Sequence, residues 1–282
     1  MQKLTWLLVF FLFFSHSAAA ETLDVQLLRS VSAPSAIRQA AASADGQRFY
    51  LLLENGTVQL YDQQGQLQGA FDAGPDVVGI VPQGADRLLL QMNDQRQVLI
   101  VALMPRVQIA IAGAPVKGDP AAPVTIAVFD DFECPYCSRA VDTLKEVLKK
   151  YPEQVKLVFK NFPLPMHRYS RTAALAGLAA QKQGKFWPLH DLMFANYQQL
   201  NPARIMELAK SLDLDMARFE KDLKDPVLVQ RIDSDIQEGK QIGVHGTPTL
   251  FINGRRVQQR SVEALSAMID EELTRLGKTP GQ

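Results

Sequence analysis

The chain has 282 residues and a mass of 31.3 kDa, which is enough for one large domain or two of ordinary size. Its hydrophobic share of 47% against 21% charged residues excludes a disordered chain, and its formal net charge of zero argues against nucleic acid or anionic lipid as a partner. It has only two cysteines, Cys134 and Cys137, which excludes a scaffold of several disulfides.

The first twenty residues have the pattern of a secretory signal. Lys3 precedes an almost wholly apolar run from Leu4 to Phe14, and small residues follow up to Ala20. This order of a basic start, an apolar stretch and a small-residue cleavage site is typical of export signals. The apolar run is too short for a membrane anchor, which takes roughly 20 apolar residues. We therefore expect residues 1–20 to be removed and the mature chain to be exported to a bacterial periplasm.

Residues 21–112 are predicted to form a small antiparallel β domain. Asn55-Gly56 lies between two β-rich runs, and this dipeptide is a strong hairpin signal. A second hairpin is predicted around Asn93-Asp94, offset by about forty residues as in propeller blades. Two units cannot close a propeller, so we expect a domain of two hairpin units. It has no motif for chemistry, and its predicted role is structural, dimerising or partner-binding.

A stretch rich in proline, glycine and alanine at residues 113–123 predicts a linker. Beyond it the pattern changes to alternating strands and helices. Val124–Phe129 is predicted as a buried strand, Cys134–Lys150 as a helix with one apolar stripe, and Val155–Phe159 as another strand.

A helical block and a final hairpin complete this region. Helices are predicted at residues 171–183, 201–212, 215–223, 227–242 and 262–276, with a hairpin closed by Asn253-Gly254 before the last of them. The order in residues 124–282 is that of a thioredoxin fold, an α/β fold, with a helical block inserted in its middle.

The two cysteines have the spacing C-x-x-C at the predicted start of a helix. Unpaired backbone N–H groups and the helix dipole stabilise an anion there, so a thiolate at Cys134 has a lowered pKa and is a good leaving group. Pro135 suits the first helical position. Cys137, one turn further on, can attack a mixed disulfide formed by the first thiol. Cys134 is thus the predicted nucleophile and Cys137 the predicted resolving thiol.

A cysteine pair has two other uses in proteins, as ligands of structural zinc and as an inert disulfide. Structural zinc takes four ligands, and the mature chain adds only His167, His190 and His245 without a paired spacing, so no metal is expected. His167 and His190 fit helix ends or surfaces and receive no role. An inert structural disulfide is the second alternative, and a C-x-x-C after a buried strand is a poor place for it.

Three motifs carry a resemblance to a known family. They are APVTIAVFDDFECPYC at residues 122–137, NFPL at 161–164 and GVHGTPTLFING at 243–254. Through them residues 113–276 resemble the DsbA-like family of thioredoxin-fold thiol–disulfide oxidoreductases. The N-terminal β domain lies outside this resemblance.

The resemblance implies further site residues. Pro248 would be a cis-proline facing the sulfur of Cys134, and Thr247 would offer its backbone to an extended substrate. Pro135 and Tyr136 would set the redox poise of the thiolate. His245 either lies near the site and favours a thiolate when charged, or is a solvated loop residue.

One departure from the superfamily concerns proton transfer. Its members commonly bury a carboxylate six residues before the first cysteine, and Val128 stands there in this chain. Asp130, Asp131, Glu133 and Lys160 are the candidates to take its place, with a solvated rim charge as the alternative for each. Asp131 and Lys160 are therefore considered as tuning residues, and the proton-transfer residue stays unassigned.

The expected function is thiol–disulfide exchange with exported proteins that contain cysteines, without a cofactor and with a membrane or periplasmic redox partner that recycles the pair. The direction stays open. Pro135-Tyr136 resembles the less oxidising DsbG-like and glutaredoxin centres, and Thr247 resembles the residue before the cis-proline in the DsbC and DsbG isomerases, which a preceding domain dimerises. Against this, the sequence FECPYC at residues 132–137 is common in general DsbA-like oxidoreductases. A homodimeric isomerase or reductase is thus one alternative. A non-catalytic periplasmic chaperone or interaction protein is the other.

Overall fold

The computed structural model of the chain describes residues 26–84, 86–94, 96–104 and 106–280. The signal expected at residues 1–20 lies outside the described residues. The chain divides into two compact units, with the division after Val101. Within the described ranges, no helix combines the length and the apolar character needed to cross a membrane.

The first unit consists of strands in two antiparallel sheets. One sheet has four strands in chain order and the other has three. The strands are β1 (Ile37–Ala42), β2 (Arg48–Leu53), β3 (Thr57–Asp62), β4 (Leu67–Asp72), β5 (Val77–Gln83), β6 (Arg87–Met92) and β7 (Val98–Ala102). The predicted hairpins correspond to β2–β3 and β6–β7, so the expectation of two hairpin units is confirmed, and β1, β4 and β5 extend them.

The turn between β2 and β3 shows why Asn55-Gly56 predicts a hairpin. Asn55 Oδ1 accepts the N–H of Thr57 at 3.0 Å, and Gly56 has a φ of +84°. A side chain on Gly56 would also collide with the carbonyl group of Gly74. Glycine is therefore required there by both the backbone conformation and the space.

The second unit contains a mixed five-stranded sheet with the order β12-β11-β9-β10-β8. Its strands are β8 (Val116–Lys117), β9 (Val124–Asp130), β10 (Val155–Asn161), β11 (Thr249–Ile252) and β12 (Arg255–Arg256). Strands β9 and β10 are parallel, whereas β11 is antiparallel to β9. Residues 102–112, which the sequence groups with the β domain, belong to this unit.

Helices connect and cover this sheet. They are α1 (Pro135–Lys150), α2 (Ser170–Gln181), α3 (Phe186–Ala195), α4 (Pro202–Lys210), α5 (Met216–Asp222), α6 (Pro226–Gln241) and α7 (Val262–Arg275). Four of them begin at a side chain that accepts a backbone N–H of the first turn, namely Asn201, Asp215, Asp225 and Ser261. Helix α3 was not expected from the sequence. Its apolar and aromatic residues occur on all sides, so it lacks the stripe that marks an amphipathic helix.

The two faces of β9 enter different parts of the core. Val124, Ile126 and Val128 pack with the main cluster that includes α1, whereas Phe129 packs against Phe162, Val244 and Phe251. Because side chains alternate along a strand, Asp130 is on the same face as Val128. The last residue of β9 thus brings a carboxyl group to the α1 side of the sheet.

A buried carboxylate ties α7 to the segment before the sheet. Glu272 is fully buried and pairs with Arg106 at 2.6 Å, Arg275 at 2.9 Å and Arg255 at 3.3 Å. Burial raises the pKa of Glu272, but the three guanidinium groups outweigh it and hold the pKa at about 2.

We predict that Glu272→Gln lowers the free energy of unfolding of the second unit by about 2–3 kcal/mol, because it removes the anion from three partly exposed arginines. The pKa of Glu272 is below its ordinary value of 4.5, so the stabilisation is fully present above that pH and is lost as the pH falls towards about 2. Urea unfolding followed by the fluorescence of Trp187, which lies in α3, measures the effect.

The neighbouring residue provides a matched control. The Glu271 side chain is 61% exposed and also pairs with Arg255, so Glu271→Gln should change the free energy of unfolding by less than about 1 kcal/mol. Equal losses in the two variants would contradict the role given to Glu272.

Candidate functional site

The two cysteines meet where β9 leads into α1. Cys134 is the residue immediately before the helix, in an extended conformation, and Pro135 occupies the first helical position. The carbonyl of Cys134 accepts the N–H groups of Cys137 and Ser138, each at 3.1 Å. Both cysteines are free thiols, and Cys134 is only 3% exposed. The helix therefore starts directly at the predicted nucleophile.

The pKa of Cys134 is lowered to about 5. The largest cause is a hydrogen bond from the Cys137 thiol, and the backbone N–H groups of Cys137 and Tyr136 act in the same direction. Burial opposes them. At neutral pH, Cys134 is therefore a thiolate that its neighbours on the first helical turn stabilise.

The pKa of the second cysteine is shifted in the opposite direction. Burial raises the pKa of the Cys137 thiol, and its hydrogen bond to Cys134 and the nearby charge of Asp130 raise it further. Cys137 therefore stays protonated, and it must lose a proton before it can attack a disulfide.

A buried carboxyl group lies beside that thiol. Burial raises the pKa of Asp130 to about 7, and the hydrogen bond with Cys137 opposes this rise. Asp130 also accepts the N–H of Asp131 at 3.3 Å. Asp130 was among the candidates expected from the sequence, without an assigned role. The alternation of β9 was the signal available, since Asp130 is on the same face as Val128, two residues closer to Cys134.

The loop before β11 closes the site from the other side. The Thr247–Pro248 peptide bond is cis, and Thr247 O lies 3.5 Å from the sulfur of Cys134. Arg260, which the sequence analysis did not single out, donates to Pro248 O at 2.6 Å. Thr249 Oγ1 donates to Gly246 O at 2.7 Å. The loop carbonyl that faces the sulfur is therefore held by bonds on both sides.

Two other predicted residues border the site. Tyr136 is exposed, and the guanidinium group of Arg139 lies 4.6 Å from the centre of its ring. His245 is exposed on the loop that leads to Thr247. Tyr136 gives the first turn of α1 an aromatic surface next to a buried thiolate.

The two candidate tuning residues have partners elsewhere. Asp131 is buried and accepts the N–H groups of Glu133 at 2.8 Å and Leu164 at 2.6 Å, while His167 Nδ1 lies 2.9 Å from it. Its carboxylate thus anchors the loop after β10. His167, expected at a helix end or surface, is half-buried in that loop.

Lys160 is on the sheet face of Phe129, opposite to the cysteines. It is buried and pairs with Asp235 at 2.6 Å and Glu238 at 2.8 Å. The structure therefore does not bring Lys160 to the cysteine pair, because the alternation of β10 directs it to the other face of the sheet. Its ammonium group neutralises carboxylates of α6 instead.

Comparison with known proteins gives the fold a context. A family model described as thioredoxin matches residues 112–271. Among curated relatives, a Na(+)/H(+) antiporter NhaA 3 of Salinispora tropica is 42% identical over 156 residues, which is 55% of this chain and 24% of the relative. The chain thus spans about a quarter of that relative's length, and the relative's transport activity is not assigned to this chain.

Two solved structures resemble the chain closely enough to compare. Oxidised BdbD from Bacillus subtilis is 26% identical with a TM-score of 0.55, and the similarity covers 61% of this chain and 98% of that one. A thioredoxin-like oxidoreductase from Silicibacter pomeroyi DSS-3 is 27% identical with a TM-score of 0.51, covering 59% and 93%. The expected DsbA-like thioredoxin fold with a helical insertion is confirmed.

We predict that Cys137→Ala raises the pKa of Cys134 from about 5 by at least about one unit, because it removes the largest stabilising hydrogen bond of the thiolate. A lowered pKa means that the thiolate is present above that pH and is lost as the pH falls through it. The rate of alkylation by iodoacetamide, followed against pH, gives the midpoint.

Ser138→Ala is the control for this measurement. Ser138 follows Cys137 on α1, and its hydroxyl donates to Phe194 O at 3.3 Å, so its loss should leave the midpoint near 5. An unchanged midpoint in Cys137→Ala would show that the helix start alone sets the pKa of Cys134.

Proposed function

Because residues 112–271 match its model, the chain belongs to the thioredoxin family, and on that premise we propose that it exchanges disulfides with exported proteins that contain cysteines. Cys134 and Cys137 carry the reaction. The observation that supports this proposal best is the contrast between a Cys134 pKa of about 5 and a raised pKa of the Cys137 thiol within one helical turn. In a pair of this kind the nucleophile is already ionised, whereas the resolving thiol keeps its proton.

The exchange proceeds through a mixed disulfide. A thiolate of the client attacks the sulfur of Cys134 in the Cys134–Cys137 disulfide, and the electron pair of the broken S–S bond leaves on Cys137, which takes up a proton. A second client thiolate then attacks the client sulfur of the mixed disulfide and releases Cys134 as a thiolate. Two electrons pass from the client to the cysteine pair. The same steps in reverse reduce a client disulfide.

The ionisation of Cys134 favours the oxidising direction. A thiolate with a pKa of about 5 is a good leaving group, and its stabilisation by Cys137 and the helix start stabilises the reduced form of the pair. A stabilised reduced form makes the disulfide a stronger oxidant. We therefore propose that the chain donates its disulfide to clients and is re-oxidised by a membrane or periplasmic redox partner.

Asp130 is proposed as the group that exchanges the proton of Cys137. It lies beside that thiol, and its pKa of about 7 allows it to give or take a proton near neutral pH. Val128, at the position where a carboxylate is common, has no proton to exchange. Asp130 thus takes over this task from a position two residues further along the same strand face.

The surroundings of Cys134 support a protein client rather than a small molecule. Thr247 lies beside the sulfur on the cis-proline loop and can present its backbone to an extended chain. Tyr136 adds an exposed aromatic surface at the rim. An N-terminal export signal would take the chain to the periplasm, where such clients pass.

Serine variants test the enzyme proposal. Cys134→Ser should reduce catalysed insulin reduction and scrambled-RNase reactivation to background, because no thiolate remains to form the mixed disulfide. Cys137→Ser should accumulate mixed disulfides with clients, seen as higher-mass bands that a reducing agent removes, because the resolving step is blocked.

Thiol trapping of the native protein in its compartment adds the direction to this test. A mostly disulfide form would support the oxidase, and a mostly dithiol form would support a reductase or isomerase. Activity that survives Cys134→Ser would overturn the enzyme proposal and favour the chaperone alternative.

A homodimeric isomerase or reductase is the second candidate, and strand β7 favours it. This strand is at the edge of its three-stranded sheet among the described residues, and Val98, Leu99 and Ile100 on it are all exposed. An exposed apolar edge strand can pair with another chain. The occupant proposed for this edge is β7 of a second copy.

We predict for this candidate that the mature chain sediments as a dimer and that Ile100→Lys gives monomers. Ile100 is 70% exposed, so the charge would leave the fold intact but would be buried in the proposed pairing. Leu67→Lys is the control, since Leu67 is 53% exposed on β4, the edge of the other sheet, and should leave the dimer unchanged. Analytical ultracentrifugation that finds a monomeric wild-type chain at micromolar concentration would exclude this candidate.

A further inference from the structure

His190 on α3 is a buried histidine that the exchange of disulfides does not itself require. It is 5% exposed, in contrast to the helix end or surface expected from the sequence. Its ring lies in an aromatic enclosure, with ring centres 4.8 to 5.9 Å away. The enclosing residues are Phe132, Phe159, Phe186, Trp187 and Phe194. An apolar side chain would suit such an enclosure better, because burying an imidazole requires compensating hydrogen bonds.

The histidine is oriented by its neighbour in the chain. His190 Nδ1 lies 2.9 Å from Asp191 Oδ1, and Asp191 is half-buried. The other oxygen of Asp191 is 3.6 Å from the ammonium group of Lys117 and 3.8 Å from that of Lys145. Because Nδ1 bonds the carboxylate, Nε2 is the ring atom left to exchange a proton elsewhere.

A narrow cavity is bordered both by this pair and by Asp130. It has a volume of about 10 Å³, and its lining includes Asp130, His190, Asp191, Lys117 and Lys145. That volume is about the room that one water molecule takes. The rest of the wall is mainly apolar, so the partners for such a water come from the few ionisable side chains just named. One cavity is thus lined by Asp130, which lies beside Cys137, and by His190 and Asp191.

The ionisation of these groups fits a transient proton carrier. Burial lowers the pKa of His190, Asp191 opposes this, and Lys117 and Lys145 lower it further, so the ring is neutral at rest. Burial raises the pKa of Asp191, but His190 and the two lysines outweigh it and keep this carboxylate ionised. A neutral imidazole bonded to a carboxylate can accept a proton at Nε2 because the anion stabilises the cation that forms.

We propose that His190, oriented by Asp191, carries protons between the buried Asp130 carboxyl group and solvent through a water molecule held in this cavity. The inference rests on the proposed function, since it serves the proton exchange of Cys137. When Cys137 attacks the mixed disulfide at Cys134, its proton moves to Asp130, the new S–S bond forms, and the outgoing thiolate carries the electron pair away. The proton then passes from Asp130 through the water to His190 Nε2, and the ring returns to its neutral form by releasing its Nδ1 proton through the half-buried Asp191 to solvent.

The test follows the two steps of the reaction separately with a chromogenic disulfide. The reduced full chain reacts with 5,5′-dithiobis(2-nitrobenzoate). Attack by Cys134 releases the first thionitrobenzoate, and attack by Cys137 on the mixed disulfide releases the second. His190→Ala should slow the second release about tenfold and leave the first unchanged, because only the second step has a proton to deliver. Stopped-flow absorbance resolves the two releases across a series of pH values.

Rescue distinguishes proton transfer from packing. Imidazole added to His190→Ala should restore the second rate, whereas pyrrole, a ring of the same shape without a basic nitrogen, should not. His190→Gln is the second variant should His190→Ala fold poorly, and it should show the same selective loss. In an Asp130→Asn background, His190→Ala should cause no further slowing, because both residues belong to one path.

Phe186→Leu is the matched control, since Phe186 is buried against the same ring and carries no proton. Equal slowing by Phe186→Leu, rescue by pyrrole, or an unchanged second release in both His190 variants would overturn the role of His190 and leave the proposed function standing. A wild-type chain that fails to release the second thionitrobenzoate would instead refute the proposed function itself.

Discussion

The second unit depends on one physical requirement, which is that two thiols separated by one helical turn are held in opposite protonation states. The helix start and the hydrogen bond from Cys137 favour the anion at Cys134, whereas burial disfavours it at Cys137. These influences are coupled, because the proton that Cys137 keeps is the one that stabilises the thiolate of Cys134. The sheet brings Asp130 to Cys137, and the loop at Pro248 brings the carbonyl oxygen of Thr247 to Cys134. Helix α3 brings His190 to a cavity that Asp130 also lines.

The buried charges of the unit have different partners. Glu272 faces three arginines and Lys160 faces two carboxylates, so each of these charges is compensated and serves packing. Asp130 is different, because its side chain faces a thiol and a cavity rather than a cation. A carboxyl group left near its neutral form in this way is suited to exchange a proton, which is the role proposed for it.

Much of this could be predicted from the sequence because the signals are local. The C-x-x-C spacing with Pro135, the Asn-Gly turns and the apolar run of β9 each depend on neighbouring residues, and each corresponds to an observed element. Helix α3 was missed because apolar side chains such as Trp187 and Leu192 also occur away from its buried face, which obscures the stripe that periodicity detects. His190 was missed with it, and Asp130 was left unassigned because a strand one residue out of phase would direct it to the opposite face.

The sequence by itself therefore determined the two-part organisation and the thioredoxin-type order of elements, and it predicted the cysteine pair as the centre of the proposed chemistry. Tertiary structure alone decided which charged residues share that centre. Asp130 and His190 are 60 positions apart in the chain, and they line one cavity only because α3 packs over the end of β9. Lys160 is carried to the other face by the alternation of β10. Proton transfer depends on distances between such elements, which long-range packing sets and local pattern does not encode.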